Sequence, residues 1–413
     1  MELQKILKYL QEPDVLDAVK PFWQEAMAVM PKETLPFLKH DALKESREFA
    51  GLPPEIDAEL FRMADRIEAD ENLRKIAWLI DWRVFENAPG KTDRWLELEF
   101  ALGDDVGLFW LVMSLAWVPR LRAYHKTLNI PEHITHQTTW QINSFVINYK
   151  MANAGRIGVF VKQYLRFNVY LNGNLYFRIG RFEYWLKSCK THFTVFRHKH
   201  NCKVVALAKA GLNVTPDGFI DGLTESSDKV EPWETTFEID DEKACGYRIM
   251  PEGVVAPEKI ILPLLEWTIV LKPGDHALDM HIPAGGKMGL DVCHESMRDA
   301  FDFSKNCFPD LTVNAIVCGS SWMFSPLVEK VLPETSNIVK YLREVHLVPV
   351  PHGGTDALWF VFFQDKFDHA TAPRDTSLQR ALLDYLQPGR VWHNGGMFYL
   401  ADDIDKFGTQ VYR

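Results

Sequence analysis

The sequence is poor in cysteine: six cysteines are spread over 413 residues, and no two of them are spaced as CxxC. The first residues also lack the apolar core of a secretory signal peptide. Regularly spaced cysteines would indicate a disulfide framework or a thiol-ligated metal, and the sequence shows neither pattern. We therefore expect a protein of a reducing compartment, and predict a cytoplasmic location.

Long apolar runs are missing as well. The longest, VGLFWLVMSLAWV from Val106 to Val118, is shorter than the about 20 residues that a bilayer requires. A buried helix of a globular domain explains this run better. The sequence therefore predicts no membrane partner.

Acidic side chains outnumber basic ones, with 56 Asp and Glu against 46 Lys and Arg, so the chain carries a net charge of −10. The exception is the segment 133–216, which contains 12 lysines or arginines and one acid, Glu183. An acidic remainder repels long nucleic acid, so we expect no nucleic-acid partner, whereas the basic segment can attract a phosphorylated small molecule. Pairing of these cations with acids elsewhere in the fold explains the segment equally well.

The hydrophobic pattern changes near residue 164. Residues 1–164 repeat apolar side chains at helical spacing and predict a helical domain. From residue 165 the pattern alternates as in strands, and 165–186 predicts a hairpin that turns at Asn172-Gly173. Further antiparallel strands are predicted up to residue 271. We therefore predict two domains, 1–164 and 165–413.

After residue 275 strands and helices alternate, which indicates parallel neighbours with crossover helices. The predicted order is a strand, a helix, a strand, a helix and two strands, followed by a late helix and the glycine pair Gly395-Gly396. The segments are HALDMHI (276–282), 291–307, LTVNAIVCG (311–319), 326–343, EVHLVPV (344–350), ALWFVFF (357–363) and SLQRALLDYL (377–386).

Together, this order and several motifs resemble an uncharacterised bacterial acyltransferase-domain family. In that family a helical N-acyltransferase N-terminal domain precedes a C-terminal domain like those of the acyl-CoA N-acyltransferase superfamily known as GNAT. The resemblance implies an α+β fold in which a helical domain is followed by a GNAT-like mixed-sheet α/β domain. The motifs are RIGRFEYW (178–185), GDHALDMHIPAGGKM (274–288), SWMFSP (321–326), LPETSNI (332–338) and TSLQRALLDYLQPG (376–389).

The resemblance further implies an acyl-CoA-dependent N- or O-acyltransferase, in which an amine or hydroxyl acceptor attacks the thioester directly. Acyl-CoA would be the co-substrate. The alternative is a non-catalytic GNAT-like protein that binds a ligand or partner in the same cleft. An RNA-associated role of the basic strands is a weaker alternative, which the net charge disfavours.

A glycine-rich loop between a strand and a helix is the predicted site of the CoA pyrophosphate, since unpaired N–H groups at a helix N-terminus bind anions. The superfamily pattern there is Gln or Arg, two residues, Gly, one residue, then Gly or Ala. Aligned on Gly286, this chain has Pro283 and Met288 at the outer positions, so a plain strand-to-helix turn remains an alternative. Asp291 is predicted to cap the helix. The predicted loop residues are Gly285, Gly286, Lys287, Met288 and Gly289.

Two residues are candidate general bases. Strand alternation places Asp279 and His281 on one face, where the carboxylate would orient the imidazole. A buried, purely structural histidine fits the pattern equally well. Glu183 is the second candidate base, although flanking arginines favour a salt bridge.

Side chains after the strand at 311–319 complete the prediction. A hydroxyl there would protonate the departing thiolate, and Ser320, Ser321 and Tyr341 carry suitable groups, of which we select Ser321 and Tyr341. Asp279, Trp322 and Asn337 are predicted to lie in the substrate pocket. No metal is expected, because His192, His198, His200 and Cys202 match no standard zinc spacing.

Overall fold

A computed structural model describes residues 2–86, 95–222, 232–353, 358–364, 368–386 and 390–413. The chain divides into two compact units. The helical unit contains the residues up to Arg178 together with Pro283–Gly285, and the sheet unit contains Ile179–Ile282 and Gly286–Arg413. The sequence places this boundary earlier, between residues 164 and 165.

The helical unit is built from short amphipathic helices around an apolar core. Its helices, within the described residues, are α1 (Glu2–Tyr9), α2 (Leu16–Ala28), α3 (His40–Phe49), α4 (Asp57–Ala69), α5 (Glu71–Phe85), α6 (Glu99–Leu102), α7 (Val106–Leu115), α8 (Trp117–Thr127), α9 (Glu132–Thr139), α10 (Gln141–Ala152) and α11 (Val161–Tyr164). The predicted helical domain is thereby confirmed.

The apolar run after residue 105 lies inside this unit. Helix α7 is buried from Gly107 to Leu115, as the sequence predicts. By length and composition the segment Glu99–Thr127 is apolar enough to cross a membrane, and 72% of its most apolar window is buried within the protein. That degree of burial is typical of a core helix.

Residues 165–170 correct one sequence prediction. They form a 3₁₀ helix, Leu165–Tyr170, rather than the first arm of a hairpin. Phe167 stacks on Trp117 with ring centroids 4.5 Å apart, so packing of the helical unit determines the local structure. Asn172 and Gly173 do form a turn with positive φ, but the hairpin that follows turns at Gly180.

The rest of the chain supplies the strands and the remaining helices. Those before the glycine loop are β1 (Leu175–Ile179), β2 (Phe182–Ser188), β3 (Phe193–His198), β4 (Val204–Ala208), β5 (Asn213–Val214), β6 (Trp233–Glu234), β7 (Phe237–Ile239), β8 (Lys243–Met250), β9 (Val254–Pro263), β10 (Trp267–Leu271) and β11 (His276–His281). Those after it are α12 (Leu290–Cys307), β12 (Ala315–Ser321), α13 (Val328–Val331), α14 (Asn337–Glu344), β13 (His346–Gly353), α15 (Trp359–Phe362), α16 (Ser377–Tyr385) and β14 (His393–Leu400).

The main sheet of this unit is mixed. Its strands follow the order β2, β11, β12, β14 and β13, and β11 and β12 are parallel neighbours joined by α12. The other pairs are antiparallel. A second, antiparallel sheet places β10, β3, β4, β8 and β7 in that order, with β9 paired to β8. The predicted mixed-sheet α/β domain is confirmed.

The late strands differ from the prediction. Within the predicted strand 357–363, the described residues Trp359–Phe362 form helix α15. The last strand is instead β14, around the glycine pair, and it lies between β12 and β13. Gly395 permits this position, because a Cβ there would lie 1.8 Å from the carbonyl oxygen of Phe324. The predicted helix 326–343 is divided into α13 and α14.

Candidate active site

Strands β11 and β12 part at their C-terminal ends. They are paired only at Leu278 with Ile316 and at Asp279 with Val317. Beyond these residues β11 runs on to His281 and β12 to Ser321, with no further register partners between the two described strands. The sheet therefore opens where ligands of α/β proteins usually bind, at the carboxyl ends of parallel strands.

The two predicted bases meet at this opening. In the antiparallel pair of β11 and β2, His281 lies directly opposite Glu183. Directly opposed residues share one sheet face, with side chains close enough to interact. His281 is exposed, whereas Glu183 is only 2% exposed. The structure thus brings together two residues that the sequence offers as alternatives.

Asp279 has a different partner from the predicted one. Its Oδ2 atom lies 2.6 Å from Nζ of Lys187, and that ammonium group also lies 3.8 Å from the ring centroid of Trp185. The strand register explains this pairing, because Trp185 is directly opposite Asp279 and Lys187 is diagonal to it. Asp279 therefore takes part in a cross-strand ion pair, and its orienting of His281 stays a prediction.

The glycine loop leads into α12. Gly286 and Lys287 are exposed, Met288 is buried, and Gly289 is the N-cap residue of the 18-residue helix. Within the described part of the chain, the backbone N–H groups of these four residues donate to no protein acceptor. Unpaired N–H groups at the positive end of a helix dipole favour an anion.

Two predictions about this loop need correction. Asp291 is the second residue of α12 and makes no capping hydrogen bond. Gly285 belongs to the helical unit, where its φ of +86° and a would-be Cβ contact of 2.5 Å to Ile147 require glycine. The part of the loop in the sheet unit therefore begins at Gly286.

Arg181 holds the loop from the side. Its Nε atom donates a hydrogen bond of 3.1 Å to the carbonyl oxygen of Lys287. A Cβ on Gly286 would lie 2.9 Å from the same nitrogen, so a larger residue at position 286 would have to displace the Arg181 side chain. The sequence suggests Arg181 only as a partner of Glu183. The sequence feature that could have indicated the position of Arg181 beside the loop is the pair Gly180-Arg181, which forms the tight turn between two strands.

Ser296 of α12 fixes this turn. Its Oγ atom accepts a hydrogen bond from the N–H of Phe182 at 3.2 Å and donates one to the carbonyl oxygen of Ile179 at 2.5 Å. Gly180 has φ +59°, and a Cβ on it would lie 3.2 Å from Cβ of Ser296. The helix that follows the loop therefore also positions the guanidinium group beside the loop.

Both selected hydroxyls have hydrogen-bond partners within the protein. The Ser321 Oγ atom accepts a hydrogen bond of 3.2 Å from the N–H of Met323 and caps the 3₁₀ helix Trp322–Phe324. Tyr341 is fully buried, and its hydroxyl donates to the sulfur atoms of Met280 and Met297, each at 3.5 Å. Burial raises the pKa of Tyr341 well above its usual value. It lies on the opposite face of β11 from His281.

The remaining candidates follow β12 in the chain, and their place in a substrate pocket stays a prediction. Trp322 is half-buried directly after β12, and Asn337 is the exposed first residue of α14. Among the described residues no group of three or more His, Cys, Asp or Glu is arranged to hold a metal. His198 instead accepts backbone hydrogen bonds from His200 and Asn201.

Comparison with known proteins agrees with this architecture. The model of the N-acyltransferase N-terminal domain matches residues 41–163, and that of the GNAT-like C-terminal domain matches residues 176–398. No curated protein matches the chain.

Solved structures share the fold over nearly the whole chain. An acyltransferase in complex with CoA and 10C-teicoplanin is 19% identical, with a TM-score of 0.64 over 97% of this chain and 99% of its own. An acyltransferase in complex with decanoyl-CoA and teicoplanin is 20% identical, with a TM-score of 0.63 and the same coverage of 97% and 99%. Because the C-terminal model covers more than half of the chain, this protein belongs to the family with a GNAT-like C-terminal domain.

Proposed function

We propose that this protein is an acyl-CoA-dependent acyltransferase. The observation that carries the proposal is the opening between β11 and β12 beside a loop whose N–H groups donate to no acceptor among the described residues. Such an opening admits an extended chain between the strands, and the loop can hold a phosphate group at one end of it. Family membership supports the same chemistry.

The donor is held at two places in this proposal. The N–H groups of residues 286–289 and the N-terminus of α12 bind the pyrophosphate of CoA, and the guanidinium group of Arg181 adds a positive charge beside them. The pantetheine arm lies between the separated strand ends. Gly285, which is grouped with the helical unit, remains a prediction for this role.

The reaction is a direct attack on the thioester. An amine or hydroxyl of the acceptor adds to the carbonyl carbon while His281 takes its proton, and a backbone N–H at the end of β11 stabilises the oxyanion. The C–S bond then breaks and its electron pair leaves with the sulfur. Buried Glu183, opposite His281, stabilises the imidazolium that forms.

The acceptor is a small molecule in this proposal. Teicoplanin occupies solved acyltransferases of the same fold, which supports an acceptor of that size class with an amine or a hydroxyl group. A cytoplasmic location belongs to the proposal as well, and the six cysteines, all of them free, agree with it.

The test is acceptor-dependent release of CoA. Octanoyl-CoA is incubated with the protein and, in turn, with hexylamine, glucosamine, octanol and teicoplanin, while free thiol and acylated product are measured. We expect release and a matching mass increase of at least one acceptor, both lost in His281→Gln. Tight binding of octanoyl-CoA with no transfer to any acceptor or to water would favour the non-catalytic alternative.

A further inference from the structure

Lys187 lies on the sheet face that carries the candidate site. Directly opposed residues of paired strands share a face, and side chains alternate between the two faces along each strand. Lys187 is opposite Ala277 on β11, which is two positions before Asp279 and four before His281. The ε-amino group of Lys187 and the proposed base are therefore on the same side of β11.

Two contacts hold this amino group over β11. Its Nζ atom lies 2.6 Å from Oδ2 of Asp279 and 3.8 Å from the ring centroid of Trp185. Ala277, directly opposite, has no side chain beyond Cβ, so the lysine can lean along the strand towards Asp279. A carboxylate and an aromatic face together fix a side chain that is otherwise among the most flexible.

The fixed amino group lies at the closed end of the opening. Asp279 is the last β11 residue paired to β12, so a chain that lies between the separated strands ends there. Both charges also reach β12: burial raises the pKa of the Cys318 thiol, Asp279 raises it further and Lys187 lowers it. In the proposed complex CoA enters from the loop, and its thioester is at the far end of the pantetheine arm. The thioester is therefore directed towards Asp279 and Lys187.

We propose that Lys187 is a site of self-acylation, at which the protein transfers the acyl group of bound acyl-CoA to its own ε-amino group. The proposal rests on the acyltransferase function above and adds an acceptor within the protein itself. Asp279 takes a proton from the ammonium group, and the amine attacks the carbonyl carbon of the thioester. A C–N bond forms, and the C–S bond breaks with its electron pair on sulfur. Two protons leave the nitrogen in all, of which one passes to the thiolate and one to water.

The structure gives Lys187 an advantage over a lysine in free solution. An ammonium group must lose a proton before its nitrogen can attack a carbonyl carbon, and the Asp279 carboxylate is close enough to accept that proton. Holding the amine beside the thioester also removes much of the entropy cost of a bimolecular reaction. The amide product is stable, so the reaction stops after one acyl group per protein molecule.

Acylation of Lys187 changes the candidate site. The amide carries no positive charge, so Asp279 loses its ionic partner. The new acyl chain is tethered on the face that carries His281, where the proposed acceptor has to bind. Progress curves with an added acceptor should therefore bend as acyl-lysine accumulates and stay straight in Lys187→Arg. Identical curves would refute this consequence.

The test of self-acylation uses octanoyl-CoA without any acceptor. The intact mass of the protein is followed with time, and the modified residue is located by peptide fragmentation after treatment with hydroxylamine, which removes thioesters and oxygen esters but leaves amides. We expect one octanoyl group per protein molecule, on Lys187. Lys187→Arg keeps the charge without a nucleophilic amine and should show none. Lys190→Arg, at an exposed lysine just past β2, is the matched control and should behave as the wild-type protein.

Two further variants identify the base. Asp279→Asn keeps the shape of the side chain but takes no proton, so the rate of self-acylation should fall about 100-fold. His281→Gln should lose transfer to added acceptors and keep self-acylation, because Asp279 is the group that contacts Lys187. Thermal unfolding checks that each variant is folded.

The outcomes separate this proposal from the function on which it rests. If the protein does not bind octanoyl-CoA, the acyltransferase proposal fails. If octanoyl-CoA binds and Lys187 stays unmodified, or if several lysines are modified at equal rates, self-acylation at Lys187 is refuted and the function stands. Equal rates in the wild-type protein and in a folded Asp279→Asn variant, or loss of self-acylation in His281→Gln, would refute the role of Asp279 alone.

Discussion

The two faces of β11 serve different purposes. On one face Leu278 and Met280 are buried, and Met280 receives the hydroxyl of Tyr341. On the other face Asp279 is paired with Lys187, and His281 lies opposite Glu183. Adjacent residues of one strand thus belong to the apolar core and to the candidate site. The difference indicates that stability and turnover can be altered separately within six residues of chain.

The largest effect is expected on the polar face. His281→Gln removes the proposed base, and we expect kcat to fall about 100- to 10,000-fold with little change in the affinity for octanoyl-CoA. His276→Gln, at the other end of the same strand, is the matched control and should keep wild-type turnover. Equal losses in both variants would mean that the strand, and not the base, is affected.

The apolar face should show the reverse behaviour. Met280→Ala creates a cavity in the core beside Tyr341, and we expect the free energy of unfolding to fall by about 2–5 kcal/mol. Turnover measured well below the melting temperature should stay within a few-fold of wild type. Denaturant unfolding and steady-state kinetics on the same preparation check both halves of this expectation.

A smaller effect is expected at the loop. Arg181→Ala removes the hydrogen bond to Lys287 and one positive charge from the proposed pyrophosphate site. We expect the Kd for CoA to rise about tenfold, or about 1.4 kcal/mol, with kcat for saturating donor nearly unchanged. Lys190→Ala, an exposed cation just past β2, controls for general charge and should leave the Kd unaltered.

The smallest effect is expected for Tyr341→Phe. Among the described residues the lost hydroxyl has only two methionine sulfurs as acceptors, each at 3.5 Å, so the free energy of unfolding should change by less than about 1 kcal/mol. Turnover should be unchanged, because Tyr341 is not on the face that carries His281. A large fall in kcat would mean that Tyr341 takes part in turnover, and would contradict the assignment of stability to one face of β11 and of turnover to the other.

The strand, loop and helix around residues 276–307 could be predicted from the sequence. Its alternation, glycines and helical spacing are local signals, and β11 and α12 confirm them. The segments 165–170 and 359–362 could not be predicted, because strongly apolar stretches of that length fit a strand or a buried helix equally well. Tertiary packing, such as that of Phe167 on Trp117, decides between the strand and the helix.

The candidate site was less predictable for a related reason. Strand register brings Glu183 opposite His281 and Lys187 beside Asp279, and no local signal in the sequence reveals that register. The contact of Arg181 with the loop could not be predicted, because it depends on hydrogen bonds between α12 and the turn that contains Arg181. The bulge in β12 between Cys318 and Ser321 is equally a property of paired strands, which a single segment does not reveal.

Calorimetric binding of octanoyl-CoA to the wild-type protein and to Gly319→Trp tests the central claim most directly. Gly319 lies on β12 beyond the last residue paired to β11, and a Cβ there would meet no atom within 4 Å. A tryptophan should therefore fill the opening while the protein stays folded. We predict saturable binding to the wild-type protein and none to the variant. Equal binding to both, or no binding to the wild-type protein, would contradict the account.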